Sequence, residues 1–483
     1  MTVNNIDVEE TIDRVKTLIA EEADLAPALK SSLEVLLLLV TILANRFGLN
    51  SKNSSKPPSA DPNRPKEPKH KSERKPGGQK GRNDNTLQPV SDPDEIKNLP
   101  VDRSTLPEGR YRDVGYEARQ VIDLDISSVV TEYRAQILED EQGHRHVAPF
   151  PSGVTRSVQY GFGVKVHAVY MSQYQLIPYN RVGDHFMEQL QIPVSPGSVY
   201  NFNLEAYDAL ASFDQWVKER LSFSQLLHAD ETGINIDGKR NWLHSASNSD
   251  FTYFYPHPKR GSEALDEIGI LGPFQGILCH DHWKPYYQYD CSHALCNAHH
   301  LRELERAWEQ DKQQWAKQMS LLLEEINKAV LDAGGHLEAK DADAYRKRYR
   351  HLLEEAEKEC PPPDESQRNG RRGRLARSKA RNLLERLRDF EDDVLRFMVE
   401  DDVPFSNNQA ENDLRMTKVQ QKISGCFRSW DGARMFCRIR SYLSTCRKQG
   451  VSASTALRLL FEGKSPQFMS QKESMLAPVP WTS

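Results

Sequence analysis

Apolar residues along this chain switch between helical and strand-like spacing, and each switch marks a change of structure. Over residues 6–50, Ile12, Val15, Leu18 and Ile19, then Leu33, Leu36, Leu37, Val40 and Leu43, recur at three-and-four spacing and predict helix. Such a stripe serves either as a coiled-coil dimer seam or as an ordinary core-facing surface. Residues 110–195 carry short strand-like runs, Val121 to Leu124 and Val129 to Ile137, and a Gly-rich apolar stretch around Tyr160 to Tyr170. A second helical stretch runs from Ser195 to Leu221, where Ser195-Pro196 is a start signal followed by Phe202, Leu204, Tyr207, Leu210 and Phe213.

Residues 222–300 change to strand and turn. Ser224 to Ala229, Ile234 to Ser245 with a break at Asp237-Gly238-Lys239, and Phe251 to Tyr255 read as three consecutive strands. Ser262 to Ile268 reads as a helix and Phe274 to His280 as a fourth, buried strand. Three hairpin-linked strands, a crossover helix and a strand beside the first make a ribonuclease-H-like order, in which Asp230 and Asp281 end neighbouring strands. Residues 301–400 return to helix. Leu301, Leu304, Trp308, Trp315, Met319, Leu322, Ile326 and Val330 keep helical spacing, as do Leu352 to Ala356 and Leu383 to Met398. Between these runs lie Pro361-Pro362-Pro363 and a basic series from Arg368 to Arg381.

The expected fold class is therefore α/β and multidomain, a mixed-sheet core with a helical insertion. The expected parts are an N-terminal helical segment (1–50), a basic Pro/Gly-rich segment (51–100) and a small mixed domain (101–195). The core then comes in two pieces (196–300 and 401–463) around the insertion (301–400), followed by a flexible tail (464–483).

Composition adds three constraints. No run approaches the roughly 18 apolar residues that span a bilayer, Val35 to Ile42 being far too short, and Met1 to Glu10 lacks a signal pattern. A cytoplasmic protein without a membrane partner is expected. All seven cysteines fall from Cys279 onward, an odd set that argues for a reducing compartment over a disulfide framework. The net charge is −5, yet basic residues are locally concentrated, so the total does not exclude a polyanionic partner. In residues 51–100, Lys52, Lys56, Arg64, Lys66, Lys69, Lys71, Arg74, Lys75, Lys80 and Arg82 are interleaved with proline, serine and glycine. That composition cannot bury enough surface to fold alone, which fits a solvated linker or a DNA-backbone contact that orders on binding.

Three acids carry the candidate chemistry. Asp230 and Asp281 each close an apolar run, and Glu411 lies at the start of a predicted helix, in Asn407-Asn408-Gln409-Ala410-Glu411-Asn412. A single Asp at a strand end usually caps a turn. Three distant carboxylates that converge repel one another and invite cations; hard oxygen ligands suit two Mg²⁺ or Mn²⁺ ions for phosphodiester chemistry. Glu231 and Glu303 are alternative members of that shell. Arg415 and Lys418 follow Glu411 by four and seven residues on one helix face, and Lys422, Arg428 and Arg434 come after. Asn408, Arg415, Lys418, Lys422 and Arg428 are candidate DNA contacts; a surface salt-bridge ladder is the plain alternative. Cys279, His280, His282, Cys291, His293, Cys296, His299 and His300 form a second cluster, but its spacing is not a repeated Cys-x-x-Cys pair, so zinc is not expected. Instead His299 or His300 would touch DNA or orient a metal-bound water, with Asn407 beside them.

These pieces resemble the insertion-sequence transposases of the sixty-six type, of the DDE class. The resemblance rests on Asn53-Ser54-Ser55-Lys56-Pro57-Pro58-Ser59 with Arg74-Lys75-Pro76-Gly77-Gly78-Gln79-Lys80-Gly81, on His228-Ala229-Asp230-Glu231-Thr232, and on Asp281 with Tyr286. It continues through Cys296-Asn297-Ala298-His299-His300-Leu301-Arg302-Glu303-Leu304 and Asn407 to Met416, as far as Gly425 and Arg428. The resemblance implies a bacterial, nucleoid-associated enzyme that binds terminal inverted repeats, cuts donor DNA and joins its ends to target DNA. It assigns the acidic roles to Asp230, Asp281 and Glu411, and it implies a homo-oligomer and accessory proteins of the element. Family members often carry a cysteine-rich zinc element before the core; no cysteine precedes Cys279 here, so that element has lost its ligands or been replaced by residues 100–150. Two other readings stay open: a catalytically silent DNA-binding regulator, and a zinc hydrolase built on the His/Cys cluster.

Overall fold

The computed structural model describes residues 2–3, 6–22, 25–54, 61, 87–364, 375 and 377–470. Its centre is a five-stranded sheet of β1 (Leu226–Ile236), β2 (Lys239–Ser247), β3 (Thr252–His257), β4 (Ile277–His280) and β5 (Ser292–Leu295). The strands lie in the order β3-β2-β1-β4-β5. The first three are antiparallel neighbours, and β4 and β5 add in parallel on the other side of β1. The predicted order of the first four strands holds. Two details differ. β1 does not stop at Ala229 but runs to Ile236, because Asp230 to Ile236 have a full antiparallel partner in β2. Asp230 therefore sits mid-strand, level with the point where the parallel neighbour β4 ends. And β5, four residues long, is too short to have a readable period.

Helices cover both faces. Leu227, Ala229, Ala246, Tyr253 and Leu278 point to one face and pack with α3 (Phe162–Val169), α4 (Tyr179–Leu190), α5 (Pro196–Ala209), α6 (Ala211–Ser222) and α7 (Ser262–Ile268). On the other face, Ile277, Cys279, Ala294 and Leu295 pack with the insertion helices α8 (Asn297–Glu309), α9 (Gln314–Ala333), α10 (Ala339–Glu359), α11 (Lys379–Asp389) and α12 (Glu391–Leu395). The far ends of β1 and β2 on this same face (Ile234, Ile236 and Leu243) meet α13 (Asn408–Ser424) and α14 (Trp430–Lys448) through Leu414, Phe427 and Phe436. The period-2 alternation of β1 thus sends odd positions to one core and even positions, Asp230 among them, to the other face.

α14 also closes the open edge of β3. The N–H groups of Thr252 and Phe254 donate to Thr445 Oγ1 (3.1 Å) and Ser441 Oγ (2.8 Å), so strand donors that would be orphaned are satisfied by a helix. At the opposite side of β1, Gly276 lets β4 approach. A Cβ there would run into the carbonyl of Gln225 and lie 2.6 Å from that of Ser224.

Before the sheet, several expectations change. The helical region 6–50 is two helices, α1 (Val8–Glu21) and α2 (Pro27–Phe47), parted where Pro27 starts a new first turn. Ile12 and Ile19 are buried, whereas α2 buries none of its residues. Contrary to the reading of Val35 to Ile42 as too short, α2 is long and apolar enough, by length and composition, to cross a bilayer. Its interspersed Ser, Thr and Asn residues break the apolar run without breaking the helix. A single helix of this kind near an N-terminus does not make a membrane protein, since soluble chains contain such helices too. Neither Val121 to Leu124 nor Val129 to Gln136 forms a strand; Val121, Val129 and Val130 are about nine-tenths exposed and have no neighbouring strand among the described residues. Of the run Val129 to Ile137, only Ile137 joins a strand, in a small hairpin of Ile137–Glu139 with Arg145–Val147. Residues 160–195, expected in a separate mixed domain, instead pack as helices into the core, through Ala168, Val169, Val182 and Phe186.

Candidate functional site

The site forms where β1 runs on past the end of β4. His228 pairs with Cys279 in the parallel register, and two further residues along each chain bring Asp230 level with Asp281. Strand alternation puts both on the face that carries Cys279, the face overlain by α8 and α13. Asp281 leaves β4 through a tight turn. Its Oδ1 accepts the Trp283 N–H (3.1 Å), and His282 takes a left-handed backbone (φ 70°) that a non-glycine residue adopts only when its surroundings hold it there.

Glu411 arrives on the first turn of α13, and Asn407 fixes that helix start. Buried Asn407 accepts from His228 Nδ1 (2.8 Å), donates through Nδ2 to the Ala229 carbonyl (2.9 Å), and gives its backbone N–H to Cys296 Sγ (3.1 Å). It thus clamps α13 to the two residues that precede Asp230. Further along, Gln421 Nε2 donates to the Gly233 carbonyl (3.0 Å), so α13 lies along β1. Lys448 Nζ meets Asp413 (3.0 Å) and the carbonyls of Asn248 and Phe251, which ties α13 to α14.

Electrostatics link Asp230 to its acidic neighbours. Burial and, after it, the negative charges of Glu231, Asp281 and Glu411 push the Asp230 carboxyl up to about 8, while the Glu231 N–H on its Oδ1 acts the other way. Repulsion among carboxylates raises a pKa in this way when no cation relieves it. Oxygen donors of this type are the kind that hard divalent ions take, together with waters.

The alternative acids are already engaged. Glu231 points to the opposite face, where Arg260 pairs with it and Tyr286 donates to Oε2 (2.8 Å). Arg260 itself stacks on Trp242 and Trp283. Glu303 pairs with Arg386 (2.9 Å). Glu411 has only a loose contact with Arg302, at 3.7 Å.

A family model described as the Transposase IS66 family matches residues 157–435, more than half of the chain and all three acids. The chain belongs to the Transposase IS66 family. Membership implies an enzyme that acts on DNA and cuts it. Residues 2–88 match a family of unknown function, DUF6444. Comparison with curated proteins finds no match.

In this IS66-family chain the other predicted residues fall into three groups. Asn408, Arg415, Lys418, Lys422 and Arg428 are exposed on or just after α13. Lys418 is close enough to the acids that the charge of Asp230 partly offsets the lowering of its ammonium pKa by burial. Lys56, Arg74, Lys75, Lys80 and Arg82 lie outside the described residues. The histidines separate: His299 stands beside Glu411, within the same small group of donor atoms as Cys296. His300, in contrast, is buried, shares a 2.9 Å hydrogen bond with Asn297, and is held neutral by burial. Consecutive helix positions differ by about 100°, so His300 faces the core and cannot touch DNA. The sequence reading missed the His228–Asn407 brace and Arg302, although both His228 and Arg302 stand inside the motifs that carry the resemblance.

Proposed function

We propose that this IS66-family protein is a DNA transposase of the DDE class, with Asp230, Asp281 and Glu411 as its catalytic and metal-binding acids. The observation that carries the proposal is that Asp230 on β1 lies level with Asp281 at the end of β4, and that buried Asp230 feels the charges of both Asp281 and Glu411 on α13. The strand order β3-β2-β1-β4-β5 supports reading the sheet as a ribonuclease-H-like core, with α8 to α12 as its helical insertion.

Two Mg²⁺ or Mn²⁺ ions held by these acids would supply Lewis-acid activation of the attacking oxygen and stabilisation of the leaving oxygen in an in-line displacement. The chain's own residues do the positioning. Asn407 sets the height of Glu411 over β1, the turn at His282 fixes Asp281, and Arg260 with Tyr286 keeps Glu231 out of the site. The basic face of α13 would track the DNA backbone beside the acids, and the segment from Lys56 to Arg82 would add a sequence-independent hold on phosphates. Substrates would be the element's terminal inverted repeats and target DNA, handled by a homo-oligomer whose assembly uses residues 1–50, with accessory proteins of the element as further partners.

The test is metal-titrated cleavage of supercoiled DNA carrying the element's ends. Wild type is expected to cut with Mg²⁺ or Mn²⁺, whereas Asp230→Asn binds the same DNA and does not cut. Cutting by that variant at the wild-type rate overturns the site assignment. Binding without cutting by wild type favours the silent regulator.

A further inference from the structure

Beside the carboxylate set lies a second group of donors with different chemistry. Cys296 precedes α8 and is 1% exposed; His299 follows one turn later; Glu411 approaches from α13. Their ligand atoms all lie within 4.8 Å of one another. Several features suit a metal. The Cys296 sulfur accepts the Asn407 N–H, a contact that favours the thiolate against the burial that disfavours it. His299 Nδ1 is buried and has no hydrogen-bond partner among the described residues. Arg302, which pairs with Glu411, sits at 3.7 Å and is released at little cost. A thiolate, an imidazole and a carboxylate match the ligand preference of zinc, and magnesium takes neither sulfur nor imidazole readily.

We propose that Cys296, His299 and Glu411 form a binding site for a thiophilic divalent ion of the zinc class, and that its occupation withdraws Glu411 from the carboxylate set and halts cleavage. Binding releases the thiol proton of Cys296 to solvent, while the imidazole and carboxylate ligate in their existing states. Glu411 cannot serve both ions at once, so zinc and magnesium compete through one side chain. The site stands on the geometry of three donors; its inhibitory effect rests on the role proposed above for Glu411.

The test uses the full chain and cobalt, which reports thiolate ligation by its ultraviolet charge-transfer absorption. Wild type is expected to bind one cobalt with that band and to lose it to zinc. Cys296→Ala and His299→Ala should each weaken binding ~10-fold or more and abolish or distort the band. Cys291→Ala, outside the group, should leave it intact. Melting curves identify any variant that fails to fold, in which case the other variant decides. A wild-type chain without the band, or folded variants that retain it, overturns the site. Cleavage with and without zinc, compared within each variant, tests the second half. Zinc inhibition that persists in Cys296→Ala overturns the competition. A normal cobalt band in a protein that never cuts DNA would instead remove the transposase reading and leave the site standing.

Discussion

At Asp230, burial and neighbouring negative charge act on one carboxyl group. Its carboxyl titrates at about 8 in the folded, metal-free chain, against 3.8 for the ordinary side chain. Between those values the folded chain holds a proton that the unfolded chain has released. The protonated form's contribution to stability is therefore complete below about pH 4 and is lost as pH rises through 8. Thermal melts in chelator should show wild type losing roughly 3–4 kcal/mol between pH 5 and pH 8 relative to Asp230→Asn. Mg²⁺ added at pH 8 should reverse the loss. A pH dependence identical in the two proteins would contradict the assigned environment. Asn407 acts by position. Asn407→Ala leaves His228 Nδ1 and the Ala229 carbonyl without their partner, at a cost of about 1–3 kcal/mol in denaturant unfolding. Cleavage should fall further than DNA binding, because the variant loosens Glu411 more than it changes the basic surface.

At the scale of elements, α13 does two jobs that its sequence period keeps apart. Ala410, Leu414 and Thr417 face inward, while Arg415, Lys418 and Lys422 lie outward with Glu411. Replacing Arg415, Lys418 and Lys422 singly by Ala should weaken binding to all DNA sequences alike. Each replacement of a phosphate contact should reduce the slope of log K against log salt by about 1. An unchanged slope in all three would exclude α13 from the DNA interface. Gly276 and the turn at His282 show a similar division between local geometry and chemistry. One admits β4 alongside β1, and the other ends it with Asp281 on the correct face.

Over the whole molecule, the uncovered surface of α2 stands apart from the closed core. Leu36, Leu39 and Leu43 are each more than half exposed, although residues near the end of α2 do attach to the body. Gln310 Nε2 reaches the Asn45 carbonyl (3.2 Å), and Asn53 Nδ2 reaches Glu309 (2.6 Å). Burying a leucine side chain contributes about 1.5–3 kcal/mol, so a second copy of α2 is a ready cover. Light scattering on the full chain should find an oligomer, and Leu36→Glu with Leu43→Glu should shift it toward monomer. An unchanged mass would show that assembly uses another surface.

The sequence by itself determined the local things. Period-2 and period-3.6 patterns marked four of the five sheet strands and the insertion helices, since each element must turn its apolar side inward wherever it ends up. The motifs around Asp230, Asp281 and Glu411 nominated the acids proposed for the site, because chemistry of this kind needs oxygen donors of fixed type. What depends on distant partners was not legible. β1 extends past Ala229 only because β2 pairs with it; Val121 and Val129 form no strand because no described segment pairs with them. His299 and His300, adjacent in sequence, were separated by the roll of one helix into a site neighbour and a core residue. Only the tertiary structure decided that Glu231 and Glu303 are paired with arginines while Asp230 has no such partner among the described residues. Charge compensation depends on distances between side chains that the chain order does not contain.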